Sequence, residues 1–264
     1  MIVTAVITFG LMGLIIGILL AVANRFLQVT TDPREERVLA VLPGINCGAC
    51  SYPGCAAYAA AVVQEHDRID KCIPGGMNVA QKIGAIMGAT VGPMEKRVAR
   101  VLCNGGRDKS PERFRYSGIS SCAAVQVTSG GNKACTYGCL GLGDCKNVCP
   151  FDAIIIREDG IAYVLEDKCT ACGRCVAACP RGIISIIPKD KRVIVACSSK
   201  DPGPETKRNS KVGCIACRIC VKKCPSQAIT VENNLARINP DACTLAQSCI
   251  APCPMHTIIE FKPQ

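Results

Sequence analysis

Cysteine is the residue that most limits what this chain can become. There are 22 cysteines in 264 residues, and their spacing is patterned. Four segments end in Cys-Pro followed by a short apolar run, at Cys149-Pro150, Cys179-Pro180, Cys224-Pro225 and Cys253-Pro254. The intervals between them run short, long, short, so they form two pairs, each pair one copy of a duplicated unit. Two of the four carry the full run C-x2-C-x2-C-x3-C-P, at Cys169, Cys172, Cys175, Cys179 and at Cys214, Cys217, Cys220, Cys224. Such a run wraps three thiolates round one corner of a four-iron cube and sends the fourth to a neighbouring cube. Disulfide frameworks belong mostly to short secreted chains, and zinc ribbons use two separated CxxC pairs. Neither pattern matches.

The other two repeats depart from the run. Counting back from Cys149 gives Cys145, then Leu142 where a cysteine is expected, then Cys139; Cys135 lies just upstream as a substitute. Counting back from Cys253 gives Cys249, then Ala246 in the vacant place, then Cys243. Crossed ligation within each pair then groups Cys135, Cys139 and Cys145 with Cys179, and Cys169, Cys172 and Cys175 with Cys149. In the second pair it groups Cys214, Cys217 and Cys220 with Cys253, and Cys243 and Cys249 with Cys224. The last group has one position open: a three-iron cluster, a four-iron cluster with a non-cysteine ligand, or an empty site. Short β signals flank turns at Glu158-Asp159-Gly160 and Asn233-Asn234, and small helices are expected after each cysteine run. The predicted fold class is α+β, of bacterial-ferredoxin type, twice in tandem.

A separate group, Cys47, Cys50, Cys55 and Cys72, is punctuated by Gly44, Gly48, Pro53 and Gly54. Glycines let the backbone wrap tightly and aim amide N–H groups at sulfur. Four thiolates here suit a four-iron cluster, and tetrahedral zinc stays open as an alternative. Residues 56–65 read as a short helix leading toward Cys72. Three cysteines remain, Cys103, Cys122 and Cys197. Two readings stand for them: buried thiols, or ligands of a further three-cysteine site or of the open one. The cofactor expectation is about five 4Fe-4S clusters, one of them three-cysteine ligated or 3Fe-4S, with room for a sixth site.

The formal charge of +10 fits this expectation. An oxidised four-iron cluster with four thiolates carries roughly −2, so about five of them bring the loaded chain near neutrality. Basic residues are not interleaved with aromatics, which argues against nucleic-acid binding. Lys207, Arg208, Lys211, Arg218, Lys222 and Lys223 surround the third run and suit an acidic electron carrier, or simply balance the clusters.

Residues 1–24 contain no charged side chain. Roughly 20 apolar residues span a bilayer as a helix. Gly13 and Gly17 are spaced for close approach of a neighbouring membrane helix. No Lys or Arg precedes the apolar run, as a signal peptide requires; Arg25, Arg34 and Arg37 follow it. The positive-inside rule therefore predicts a single-pass anchor in a bacterial cytoplasmic (inner) membrane, with the N-terminus outside and the cluster domains in the cytoplasm. The predicted domains are an anchor (1–25), a four-cysteine domain (33–95), a connecting segment (96–130) and two ferredoxin-like units (131–195 and 196–264). Only two histidines are present, His66 and His256, so no Rieske centre can form. There is no dinucleotide fingerprint and no P-loop, so the chain carries electrons and another polypeptide does the two-electron chemistry.

The order of one membrane helix, then Leu42-Pro43-Gly44-Ile45-Asn46-Cys47-Gly48-Ala49-Cys50-Ser51-Tyr52-Pro53-Gly54-Cys55, then ferredoxin repeats resembles the RnfB-type iron–sulfur subunits of the Rnf complex, an ion-translocating ferredoxin:NAD oxidoreductase of bacterial membranes. The resemblance covers essentially the whole chain, although shorter members have one ferredoxin unit and this chain has two. It implies that soluble ferredoxin donates electrons, that other membrane subunits receive them and a flavin-bearing one reduces NAD, and that Na⁺ or H⁺ is moved. The apolar helix has no intramembrane charge and is not itself an ion path. The alternatives weighed are an electron-transfer subunit of a hydrogenase or dehydrogenase, and a cluster-based redox sensor.

Overall fold

The protein is described from a computed structural model covering residues 2–26 and 32–261. It opens with helix α1 (Ile2–Phe26). Within α1 the stretch Val6–Ala23 has a mean hydropathy of 2.7 and buries none of its surface against the protein. Among the described residues it is the one helix long and apolar enough to cross a membrane. A contiguous apolar surface of this size requires lipid or a partner to cover it.

Helix α2 (Pro33–Val41) starts where Asp32 accepts the Arg34 N–H at 2.8 Å and Pro33 supplies a preset first turn. It packs on α3 (Cys55–Gln64) and α4 (Gly76–Met87) through Val38, Leu42, Tyr58, Val62 and Ile83. The four-cysteine loop lies against this small three-helix core. α4 stops at Gly88, whose φ of +70° is the left-handed conformation a helix C-terminus favours in glycine.

Among the described residues eight short strands follow, as four antiparallel pairs. β1 (Arg97–Val101) precedes α5 (Cys122–Val127), α6 (Asp144–Asn147), the hairpin β2 (Ile154–Ile156) and β3 (Ala162–Val164), α7 (Arg174–Ala178) and β4 (Ile184–Pro188). β5 (Val193–Val195) then precedes α8 (Gly203–Asn209), α9 (Ile219–Lys223), the hairpin β6 (Ile229–Glu232) and β7 (Leu235–Ile238), and β8 (Ile258–Glu260). β1 pairs with β4 and β5 with β8, each time enclosing an inner hairpin. The topology is therefore repeated. The β6–β7 turn is Asn233-Asn234, with φ of 49° and 61°, the two positive values a two-residue type I′ hairpin loop needs.

Both hairpins fall where the alternation of apolar residues and turn signals places them. Strand β1 lies inside the segment read from sequence as a connection. The small helices also sit differently: α7 and α9 lie inside the cysteine runs and end at Cys179 and Cys224. Proline is the reason. It drives the residue before it out of the helical region, and Cys179 and Cys224 have ψ of 109° and 113°.

Each unit has its own core of short aliphatics and cysteines. Val101, Ile154, Ile161, Val164, Ile183 and Ile184 pack with Cys139, Cys145 and Cys175 in the first. Val193, Val195, Ile229, Leu235 and Ile258 pack with Cys197, Cys214, Cys220 and Cys249 in the second. The units meet where the Phe261 ring stacks on Tyr163 at 4.9 Å and the Arg100 guanidinium lies 3.9 Å from the centre of the Phe261 ring.

Candidate metal centres

In the N-terminal group the backbone turns through left-handed conformations at Gly44, Asn46, Gly48 and Ser51, which curls Cys47 and Cys50 back toward α3. The Asn46 side chain fixes the curl by accepting the Cys55 N–H at 2.8 Å. The returning segment is braced by Tyr52, whose hydroxyl donates to Asp67 at 2.5 Å, and by Lys71, which pairs with the same carboxylate. The Lys71 and Tyr52 donors hold the Asp67 carboxyl down at about 2. Burial pushes the Cys72 thiol up to about 11, and the charges of Cys55, Cys50 and Cys47 push the same way, so the four sulfurs are near neighbours.

Three cavities in the ferredoxin-like units are each walled by four cysteines. Cys149, Cys169, Cys172 and Cys175 line one of about 320 Å³. Cys214, Cys217, Cys220 and Cys253 line one of about 380 Å³. Both sets are the crossed groupings read from the spacing. The third cavity, about 340 Å³, is lined by Cys122, Cys139, Cys145 and Cys179. Here the structure departs from the sequence reading, which put Cys135 in that place. The cause is a long-range anchor at the start of α5: the Asp144 carboxylate accepts the N–H groups of Cys122 and Ala123 and the Ser121 hydroxyl, all at 2.9 Å. Asp144 opens α6, the helix that carries Cys145, so the carboxylate ties Cys122 to its three companions. Ser121 is legible as a helix cap, but nothing local marks Asp144 as its partner.

Cys135 instead joins Cys103 and Cys197 around a fourth cavity of about 410 Å³. Cys224, Cys243 and Cys249 form the remaining set: burial raises the Cys249 thiol first, and the charges of Cys224 and Cys243 add to it. Ala246 stands in the vacant place of that loop, between Leu245 and Gln247, both at positive φ.

Tetrahedral zinc holds its sulfurs at about 2.3 Å from one point. Among the described residues no three His, Cys, Asp or Glu side chains converge closely enough for one ion. The sulfurs surround cavities instead. They also accept backbone N–H groups, from Ala99 to Cys169, Ala153 to Cys149, Ala236 to Cys214 and Thr257 to Cys253, each at 3.4 Å. Donors aimed at sulfur stabilise thiolate and sulfide charge. Without metal, burial holds the thiols protonated: it pushes Cys139, Cys197 and Cys220 up to about 11 and Cys145 and Cys175 up to about 12.

Neighbouring sets are within electrostatic reach of one another. The charge of Cys47 acts on Cys172, that of Cys175 on Cys145, and that of Cys253 on Cys249. Cys217 is the exposed cysteine of the second unit, and Arg218, Lys222 and Lys223 beside it are exposed as well.

Comparison with known proteins follows the same division of the chain. An Fe-S cluster family model matches residues 42–74, an LdpA Fe-S cluster-binding domain matches 143–189, and 4Fe-4S dicluster domains match 168–229 and 206–254. Over 249 residues the chain is 46% identical to the RnfB-type subunit of the Na⁺-translocating ferredoxin:NAD⁺ oxidoreductase complex of Acetobacterium woodii, covering 94% of this chain and 75% of that one. The chain belongs to the RnfB family. Other members agree along most of their length. The corresponding subunit of the ion-translocating oxidoreductase complex of Methanosarcina acetivorans is 37% identical, with 94% of each chain covered. That of the proton-translocating ferredoxin:NAD⁺ oxidoreductase complex of Clostridium ljungdahlii is 39% identical, covering 94% of this chain and 88% of that one. As an RnfB-family protein the chain is an iron–sulfur electron-transfer component of an ion-translocating oxidoreductase complex, and its apolar α1 fits membrane association.

Proposed function

We propose that this protein accepts electrons from reduced soluble ferredoxin and relays them to other membrane subunits, which reduce NAD and move Na⁺ or H⁺. The observation that carries the reading is the succession of cysteine sets along the chain, three of them walling cavities in the ferredoxin-like units and neighbouring sets within electrostatic reach, Cys47 of Cys172 and Cys253 of Cys249. Bound clusters supply one-electron transfer at low potential. The chain's own residues hold them in a row, aim N–H groups at their sulfurs and keep water out.

The finer assignment is one 4Fe-4S cluster on Cys47, Cys50, Cys55 and Cys72. One more falls on each of the three four-cysteine cavities. Cys224, Cys243 and Cys249 hold a fifth site, three-cysteine ligated. α1 spans the inner membrane once, with Arg25 on the cytoplasmic side, and the two units run from β1 to β4 and from β5 to β8. Ferredoxin docks at the exposed Cys217 edge, where Arg218, Lys222 and Lys223 offer positive charge to an acidic carrier.

The test is anaerobic purification of the tagged chain from its own membranes with an assay of ferredoxin-dependent NAD⁺ reduction. Activity that copurifies with other membrane subunits is the expected result. A brown protein that copurifies with a hydrogenase or dehydrogenase and lacks this activity sinks the ferredoxin:NAD reading.

A further inference from the structure

We propose that Cys103, Cys135 and Cys197 hold a sixth iron–sulfur cluster, and that it bridges the two ferredoxin-like units electrically. The inference rests on the electron-relay reading above but not on the identity of donor or acceptor.

The first support is repetition. Cys103 stands two residues after β1 and Cys197 two residues after β5, so they are equivalent positions in the two units. The residue before each extends the same strand pairing: Leu102 donates to the Ile183 carbonyl at 2.8 Å, and Ala196 to the Thr257 carbonyl at 2.9 Å. The units face each other so that these two cysteines share one cavity, and Cys135 supplies the third sulfur. The cavity is of the same order of size as the four-cysteine ones.

The second is hydrogen bonding. These sulfurs accept backbone N–H groups, as those of the four-cysteine cavities do. Cys103 accepts the Cys139 N–H at 3.3 Å, and Cys197 accepts the N–H groups of Cys214 at 3.3 Å and Ser199 at 3.4 Å. The backbone N–H groups of Tyr137 and Gly138 point at Cys135. Cys139 and Cys214 each line their own unit's four-cysteine cavity. Each therefore links that cavity to the central one through a single hydrogen bond, symmetrically on the two sides.

The third is charge. Lys133 is 3% exposed, and its ammonium meets the carbonyl of Gly105, a residue of the cavity wall, at 2.8 Å. None of the ion pairs among the described residues includes it. A buried cation without a counter-charge is costly. The charge of Lys133 acts on Cys139, whose N–H reaches Cys103, and the thiolates of a cluster bound at the central cavity would add counter-charge. As each sulfur–iron bond forms, the thiol gives its proton to solvent. In operation one electron arrives from the cluster on one side and one leaves to the cluster on the other.

The test uses the full chain, purified anaerobically, with iron and labile sulfide counted and each cluster followed by EPR during a redox titration. Cys197→Ala and Cys103→Ala should each remove about three to four irons, and the triple variant with Cys135→Ala should remove no more. Wild-type iron in the single variants overturns the proposal. Where alanine variants do not fold, Cys135→Ser decides: it keeps an oxygen ligand in a partly exposed loop, and should alter the spectrum of one cluster and leave the others. A spectrum unchanged throughout overturns the proposal. Lys133→Gln should lower the midpoint potential of that same cluster, and an unmoved potential refutes the pairing. The relay reading fails separately, through loss of NAD⁺ reduction from the wild-type preparation, whatever the iron count.

Discussion

Glu166→Ala should be among the most destabilising single changes in the first unit. Arg100 and Glu166 meet at 2.8 Å with side chains 0% and 3% exposed, and neither has a hydrogen-bond partner elsewhere among the described residues. Removing the carboxylate strands a buried guanidinium, at a cost of about 3–5 kcal/mol. At about 2–4 °C per kcal/mol for a chain of this size, the apparent melting temperature should fall by roughly 6–20 °C. The double variant Arg100→Met with Glu166→Leu replaces both charges by apolar groups of similar volume and should recover most of the loss, since well-packed hydrophobes substitute for buried pairs. Recovery is incomplete because Arg100 also lies over the Phe261 ring, a contact worth about 0.5–2 kcal/mol. The pair braces a cysteine-walled cavity: Arg100 follows Ala99, whose N–H reaches Cys169, and Glu166 precedes that cysteine by three residues. Anaerobic scanning at one fixed rate, recording visible absorbance with unfolding, should show bleaching begin earlier in Glu166→Ala. A loss below about 1 kcal/mol, as at exposed pairs, or a double variant no better than the single one, would refute the reasoning.

Cys122→Ala should remove about four irons and leave the clusters at Cys169 and Cys214 intact; an unchanged iron count would return that place to another ligand. Ala246→Cys should add about one iron if the second unit's last site is a three-iron cluster, read by chemical analysis and Mössbauer spectroscopy. Lys222→Glu with Lys223→Glu should slow reduction by ferredoxin, most at low ionic strength, and a stopped-flow rate unchanged at low salt would move the docking edge elsewhere. Metal-free protein should lose stability as pH rises through the alkaline range. Its buried thiols keep their protons up to about 11 or 12 against an ordinary 9.0, so below 9 the folded form has the full benefit, and above 9 the unfolded chain sheds protons first. Denaturant midpoints that stay level from pH 8 to 11 would contradict this.

The sequence makes local features legible where residue type and spacing suffice. The Cys-Pro repeats mark where helices stop, because proline acts on its immediate neighbour, and Asn233-Asn234 marks a hairpin. Where a run is complete, its first three cysteines and the last cysteine of the paired repeat line one cavity, the grouping the spacing predicts for crossed ligation. What fails is the choice between Cys122 and Cys135. Distance along the chain favours Cys135, yet Asp144 reaches across more than 20 residues to hold the start of α5. Strand β1 is equally hidden, since its five residues include three charged or small ones, Arg97, Ala99 and Arg100, and its apolar face exists only against β4. Cys103 and Cys197 look unrelated in sequence. Their equivalence emerges once β1 and β5 are seen to pair alike.

A chain with no Trp and 4% aromatics has little bulk with which to fill two separate cores. Its cores are built from Ile, Val and Ala around rings of cysteine, with cavities at their centres rather than side chains. Apolar packing alone would leave those voids, and a void forfeits the contacts of every atom lining it. The same cysteines that wall the cavities terminate the helices and accept the strand N–H groups, so local geometry and ligation reinforce each other. Cofactor loading then adds to the folding free energy, as metal binding does in other small metal domains. The duplicated unit extends this logic: equivalent cysteines, Cys103 from one copy and Cys197 from the other, line one shared cavity.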